Sequence, residues 1–496
     1  MSPKDAYEKY LARAREGALL KSTADVLGWD EETYMPQAAL EWRAEQQAYL
    51  GGARHRLMTS AEMGDLLSAA EGGEWAPESV EATNLREWRR GHDLNTKLPT
   101  EFVEEFGRTV SHSRNTWARA KSTDDYALFQ PHLARVLELN RQKADYLGYA
   151  TCRYDALLDE FEPGLTTAEL NVIFDDLRKG VTALLPKALE ASADIDPDAL
   201  LADAPISKQV AFFNEVMTSC GFDLQAGRLD ETSHPFCTTL GPRDVRLTTR
   251  YKENDMLYGL YSVLHEMGHG LYEQGLPTAY FGQPAGEAVS LGIHESQSRL
   301  WENKVGRSLD FWKLWLPKAA ANLPELGRFS PEEITRGVNR VALSYIRTEA
   351  DEFTYDLHVA LRFGIEQKLI EGSLDVADLP EYWNTEFEKS FGIKVPDNRR
   401  GCLQDIHWSI GCFGYFPTYT LGNLNSAQLY RAALEQNPSL HAALAAGDYV
   451  LLLNWLRKNV HELGQTYRSR ELIEKVTGAP TQVQPHLDYL RSRIPD

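Results

Sequence analysis

Apolar residues recur at three- and four-residue spacing through most of the chain, the signature of helices with one buried face. Ala6–Lys21, Glu41–Leu57, Glu101–Arg119, Tyr126–Leu147, Thr167–Leu189, Val341–Ile370 and Ser426–Leu434 follow this period and are rich in Ala, Leu and Glu. The pattern predicts a mainly α fold. Ser60-Ala-Glu-Met63 and Thr167-Ala-Glu-Leu170 read as helix openings, a hydroxyl cap followed by an early acid, and Gly275-Leu-Pro277 reads as a stop. One region breaks the period. His234–Leu240 and Asp244–Tyr251, rich in Thr, Val and aromatics, flank Gly241-Pro-Arg243 and predict a β-hairpin.

No repeat, low-complexity tract or long Pro/Gly/Ser linker divides the chain, so residues 1–496 are read as one helical body. With 43% hydrophobic and 25% charged residues the composition is that of an ordinary globular protein. Against 52 Lys+Arg stand 72 Asp+Glu, a formal charge of −20 that repels nucleic-acid phosphates and anionic lipid; no nucleic-acid or membrane partner is expected. There is no apolar run of about 18 residues and no secretory h-region at the N-terminus. Cys152, Cys220, Cys237, Cys402 and Cys412 are widely spaced and odd in number, as free thiols in a reducing cytoplasm would be.

The informative chemistry is His265-Glu-Met-Gly-His269. Histidines at i and i+4 share one helix face and can hold a single ion, and Glu266 is displaced toward the open coordination position, where it can take a proton from water. The surrounding segment, Asp255–Gln274, is periodic, with Met256, Leu257, Leu260, Val263, Leu264, Met267 and Leu271 on an inward face. The histidines therefore border a core; two surface histidines on a solvated helix are the competing interpretation. A catalytic zinc takes a third protein ligand. Glu273 lies one turn after His269 and would project past the ion. Glu287, Glu295 and Glu302 belong to or precede a second helix that could pack across it, and spacing favours Glu295, after the small Gly292, with Glu287 or Glu302 bonding an imidazole N–H.

At this point the chain resembles the Taq-type thermostable metallocarboxypeptidases, HExxH enzymes of the gluzincin branch. The resemblance rests on blocks in one order across nearly the whole chain: Trp29–Pro36, Arg43-Ala-Glu-Gln46, His234-Pro-Phe236, Asp244-Val-Arg-Leu-Thr248, His265–His269, His294-Glu-Ser-Gln297, Ile346–Asp351 and Gly401–Trp408. It implies a large helical body with a deep active-site groove between two halves and a small sheet beside the metal helix. It further implies a homodimer, release of single residues from peptide C-termini with broad specificity, and Glu295 as the third ligand.

The remaining site residues follow from that reaction. Glu266 is the expected base. Tyr419 and His407, with Tyr415 as the alternative phenol, are expected to stabilise the transition state. A free carboxylate calls for an arginine fork, with Arg347 preferred over Arg246; Arg246, Asp244 and Gln404-Asp405 are expected to close the groove end. His234 is placed among substrate-lining residues, and the hairpin edge could hydrogen-bond an extended peptide. Zn²⁺ is the expected ion, Co²⁺ or Mn²⁺ fitting the same ligands. The alternatives are a zinc endopeptidase on the same groove and a helical scaffold with an inert HExxH. Because the protein is broadly negative, basic peptides are expected to turn over faster than acidic ones at low ionic strength, a difference that added salt removes and that paired substrate assays would read.

Overall fold

The computed structural model describes residues 1–495 and is dominated by helices, with one small three-stranded sheet. The periodic segments are helices, several longer than their apolar pattern: Pro3–Thr33, Leu40–Met58, Thr100–Thr123, Tyr126–Leu147, Thr167–Ala191 and Pro417–Gln436. Ser60 caps Ala61–Glu71 by accepting from the Met63 amide. The expected cap at Thr167 is one residue earlier: Thr166 and Glu169 form a reciprocal capping box. The stretch Val341–Ile370 is corrected more substantially, since its helix is Glu352–Glu371. Asp351 accepts from the amides of Phe353 and Thr354 and stops the helix from extending backwards. Residues 341–350 instead form an irregular segment with one turn at Arg347–Glu349.

The predicted hairpin is present as β2 (Cys237–Gly241) antiparallel to β3 (Asp244–Thr249), with an irregularity between Thr239 and Gly241; it follows β1 (Gly227–Glu231), which pairs parallel to β3 on the other side. The sheet order is thus β1-β3-β2. The first helix lies against it. Ser22 donates to the Leu240 carbonyl, the Tyr34 hydroxyl to Asp230 at 2.5 Å, and the Trp29 ring lies 4.2 Å from the Arg246 guanidinium.

Buried apolar residues form three clusters. One surrounds the sheet and the helix Met256–Gly275; a second joins Tyr126–Leu147, Thr167–Ala191 and Glu352–Glu371; a small third joins the start of the first helix to Leu66, Leu67, Leu85 and Trp88. Met256–Gly275 starts at Asp255, which caps the Tyr258 amide, and buries Leu260, Val263, Leu264, Met267 and Leu271 completely. Leu291–Arg299 crosses it and continues as a π turn, Leu300–Val305, a rare geometry often found at functional sites.

The crossing is made possible by Gly268. A Cβ there would sit 2.6 Å from both the Gln297 carbonyl oxygen and the Ser298 Cα, backbone atoms that cannot swing aside. Gly292, expected to open this crossing, instead gives room to Glu162 and to the neighbouring helix Pro417–Gln436. Gly268→Ala is therefore expected to cost about 1–3 kcal/mol of stability through overpacking, read as a lower denaturation midpoint with an unchanged slope.

Candidate metal centre

His265 and His269 stand one turn apart on Met256–Gly275 with ring centroids 4.9 Å apart. Their Nε2 atoms converge on a single oxygen of the crossing helix: Glu295 Oε2 lies 3.7 Å from one and 3.5 Å from the other. Three ligands each about 2.1 Å from a tetrahedral ion would stand roughly 3.4 Å apart, so the separations fit a zinc-sized ion. Among the described residues no other group of His, Cys, Asp or Glu side chains converges in this way. Burial lowers the His269 pKa to about 4, so its imidazole is neutral and offers a lone pair at neutral pH. Burial alone would raise the Glu295 carboxyl, but Arg299 and the two imidazoles outweigh it and hold it below the ordinary range. For His265, burial is outweighed by Glu295 and Glu302, which raise its pKa, so an ion competes there with a proton. Two imidazole nitrogens and a carboxylate suit a divalent ion of the zinc class.

The outward faces of the imidazoles are also engaged. His265 Nδ1 lies 3.0 Å from Glu302 Oε2, which makes Glu302 the imidazole partner; Glu287 is instead exposed on the groove wall. His269 Nδ1 lies 2.6 Å from His294 Nδ1, and His294 Nε2 lies 2.8 Å from Glu273 Oε1. Thr239 on β2 donates to the other Glu273 oxygen at 2.6 Å. Glu273 thus does not overshoot the site: it anchors a His–carboxylate chain behind the second ligand, the arrangement that fixes ring orientation in metal sites. Sequence reasoning missed His294, Glu273 and Arg299 in these roles. The i, i+4 spacings His269/Glu273 and Glu295/Arg299 carried a signal, but which side chain turns toward which depends on the crossing. Glu266 is buried beside His265, and burial raises its carboxyl to about 7; it accepts no hydrogen bond from any described residue.

A second polar cluster surrounds Arg347. Its Nε and Nη2 donate to Asp405 Oδ1 at 3.1 and 2.9 Å, and its Nη1 donates to the Tyr355 hydroxyl at 2.7 Å. Arg362 donates to Asp405 Oδ2 at 2.6 Å, so one carboxylate faces two guanidinium cations. Gln404 accepts from the Arg347 amide, which attaches Gln404 and Asp405 to this cluster and not to Arg246. Arg246 pairs with Asp244, two residues back on β3, and stacks on Trp29. His407 Nε2 and the Tyr419 hydroxyl are 3.2 Å apart, and the Tyr415 ring lies 5.4 Å from that of Tyr419. Burial lowers the His407 pKa to about 4, leaving it neutral. Tyr419 is placed near the metal ligands by its helix: Gly422, one turn further along Pro417–Gln436, packs against the Glu295 side chain. His234 is exposed in the loop between β1 and β2.

A groove of about 700 Å³ runs between the first helix, Val80–Lys97, β2 and the loop before Leu291, and it reaches Cys237, Glu273 and His294 beside the ligands. No helix is long and apolar enough to cross a membrane.

Comparison with known proteins agrees with this chemistry. Residues 9–494 match the family model for carboxypeptidase Taq (M32) metallopeptidase. Thermostable carboxypeptidase 1 of Thermus thermophilus is 41% identical, covering 99% of each chain. The solved M32 carboxypeptidase of Deinococcus radiodurans superposes with a TM-score of 0.96 at 39% identity over 99% of each chain. Metallocarboxypeptidase 1 of Trypanosoma cruzi does so with 0.95 at 31%, over 99% of this chain and 100% of its own. A metal-ready His₂Glu site, a fold shared over its full length and a matched family model place the chain in the carboxypeptidase Taq (M32) family, as a metallocarboxypeptidase.

Proposed function

We propose that the protein is a zinc-dependent carboxypeptidase that releases single residues from peptide C-termini with broad specificity. The observation that carries this reading is the convergence of His265 Nε2, His269 Nε2 and Glu295 Oε2 beside the unbonded carboxylate of Glu266. A divalent ion held by those three ligands supplies Lewis acidity to a water and to the scissile carbonyl. Glu266 accepts the proton of the attacking water and passes it to the leaving amine. Its burial favours proton acceptance near neutral pH, because a general base works best with a pKa close to the operating pH. Tyr419 and His407, held together by their 3.2 Å contact, are assigned to stabilising the oxygen on which negative charge develops, with Tyr415 beside them as the alternative phenol.

Arg347 is the anchor for the free carboxylate. Of its five N–H groups one on each nitrogen is spent on Asp405 or Tyr355, leaving one on Nη1 and one on Nη2 for a bidentate pair. Asp405 does not cancel its charge, because Arg362 shares that carboxylate. Arg246, committed to Asp244 and Trp29, fits a role in shaping the groove end. His234, in its exposed loop, would meet a substrate only at the groove rim. Edge strand β2, with Thr238 and Thr239 lining the groove, supports a substrate lying extended along it, which needs no side-chain reading and suits broad specificity. A cytoplasmic homodimer completes the proposal; sedimentation of the purified protein tests the assembly.

Glu266→Gln is expected to keep its metal and lower kcat about 10²–10⁴-fold, checked by metal analysis and turnover on one preparation. Peptides with an amidated C-terminus are expected to resist cleavage, and internal cutting of them would instead mark an endopeptidase. Arg347→Gln is expected to raise KM for free-acid peptides roughly 10–100-fold, the loss of a charge-assisted pair of about 1.5–3 kcal/mol, while narrowing the preference over amides.

A further inference from the structure

Arg299 takes no part in the reaction just described, yet it is bonded to one metal ligand and to the partner of another. It lies one turn after Glu295, and its Nε donates to Glu295 Oε1 at 2.7 Å. That is the oxygen turned away from the histidines; Oε2 is the one that faces both Nε2 atoms. The Arg299 Nη1 donates to Glu302 Oε2 at 3.3 Å, the same oxygen that stands 3.0 Å from His265 Nδ1. Glu302 Oε1 is taken by Arg307 Nη2 at 3.2 Å. The guanidinium of Arg299 is mostly buried and held from its face by the Tyr355 ring, 4.6 Å away.

Two consequences follow from these contacts. The Glu295 carboxylate has Oε1 held toward Arg299 by a charge-assisted bond and Oε2 turned to the histidines, which favours ligation through Oε2 alone over ligation through both oxygens. In addition, the ligand Glu295 and the imidazole partner Glu302 are matched by two guanidiniums, Arg299 and Arg307.

We propose that Arg299 is a positioning residue that restricts Glu295 to single-oxygen ligation and, through Glu302, aligns His265, thereby biasing the site toward ions of low coordination number such as Zn²⁺ and Co²⁺ over Mn²⁺. The inference rests on His265, His269 and Glu295 being the ligands. Zinc sites of this type are four-coordinate with one open position, whereas ions that prefer six or more oxygen ligands gain from a carboxylate that can turn to present both oxygens. Freed of Arg299, Glu295 gains that second mode.

The test uses the full chain, stripped of metal and reloaded, as parent, Arg299→Met and Arg299→Lys. Zn²⁺ and Mn²⁺ affinities are measured by competition with a chelator, and the visible absorption of the Co²⁺ forms is recorded. Removing an outer-layer partner of a ligand typically costs 10–100-fold in metal affinity. Arg299→Met is expected to lose that much for Zn²⁺ and less for Mn²⁺, narrowing the ratio between them, and its cobalt bands are expected to weaken as the coordination number rises. Arg299→Lys keeps a cation but not the fork that reaches two carboxylates; it is expected to fall between the two and serves alone should the Met variant not fold. Parent-like affinities and cobalt spectra in the variants would overturn the proposal. So would equal losses for both metals with unchanged cobalt bands, since that pattern reports only a destabilised site. A parent that binds no Zn²⁺ would refute the ligand assignment itself, a result separate from either.

Discussion

Everything at the metal centre depends on two helix backbones touching. Only where residue 268 has no side chain can Leu291–Arg299 cross Met256–Gly275 at the level of Gln297 and Ser298, and only that crossing puts one Glu295 oxygen opposite two imidazoles. Close approach carries an electrostatic cost, because the seam buries Glu266, Glu295 and Glu302 beside the half-buried metal histidines. The structure offsets it with cations placed on the same elements: Arg299 on the ligand helix and Arg307 just after the π turn. The helix Pro417–Gln436 packs on the other side of the ligand helix, with Gly422 against Glu295, so the carboxylate is confined from both flanks.

Much of this was legible in the sequence where the governing physics is local. Helical spacing, the Ser60 cap and the paired histidines depend on residues within one or two turns, and each was found where its pattern placed it. Glu295 could be favoured because it falls on a helix able to cross the first. The misses share a different origin. Strand β1, Gly-Arg-Leu-Asp-Glu, has no hydrophobic alternation to announce it and exists because β3 offers a parallel edge. The helical reading of residues 341–350 failed because a single side chain, Asp351, competes successfully for the amides that would have continued the period. The partition of Asp405 to Arg347 and Arg362, and of Asp244 to Arg246, is decided by tertiary placement, since all of these residues carry the same charges in any arrangement.

The chemistry is layered accordingly. Three atoms would touch an ion; behind them stand Glu302 and His294; behind His294 stands Glu273, and behind that Thr239 on the strand that lines the groove. Orientation of a ligand is thus passed outward through hydrogen bonds until it reaches backbone-anchored elements, which is how a site of few residues keeps its geometry without a rigid covalent frame. The cluster around Arg347 uses the opposite logic, with an excess of cation over anion kept in the same buried space.

The contact of the first helix with the sheet bears on how the chain assembles. The Ser22 hydroxyl meets the Leu240 carbonyl 218 residues further along, and Tyr34 meets Asp230 at a separation of 196. The first helix thereby holds both outer strands, β2 at its Leu240 end and β1 at Asp230, while Thr238 and Thr239 of β2 stay on the groove wall. This docking follows the formation of local helices, because it closes loops of about 200 residues. Until the N-terminal helix docks, the outer strands lack these two bonds, so the sheet beside the metal helix is completed by the part of the chain that is made first and placed last.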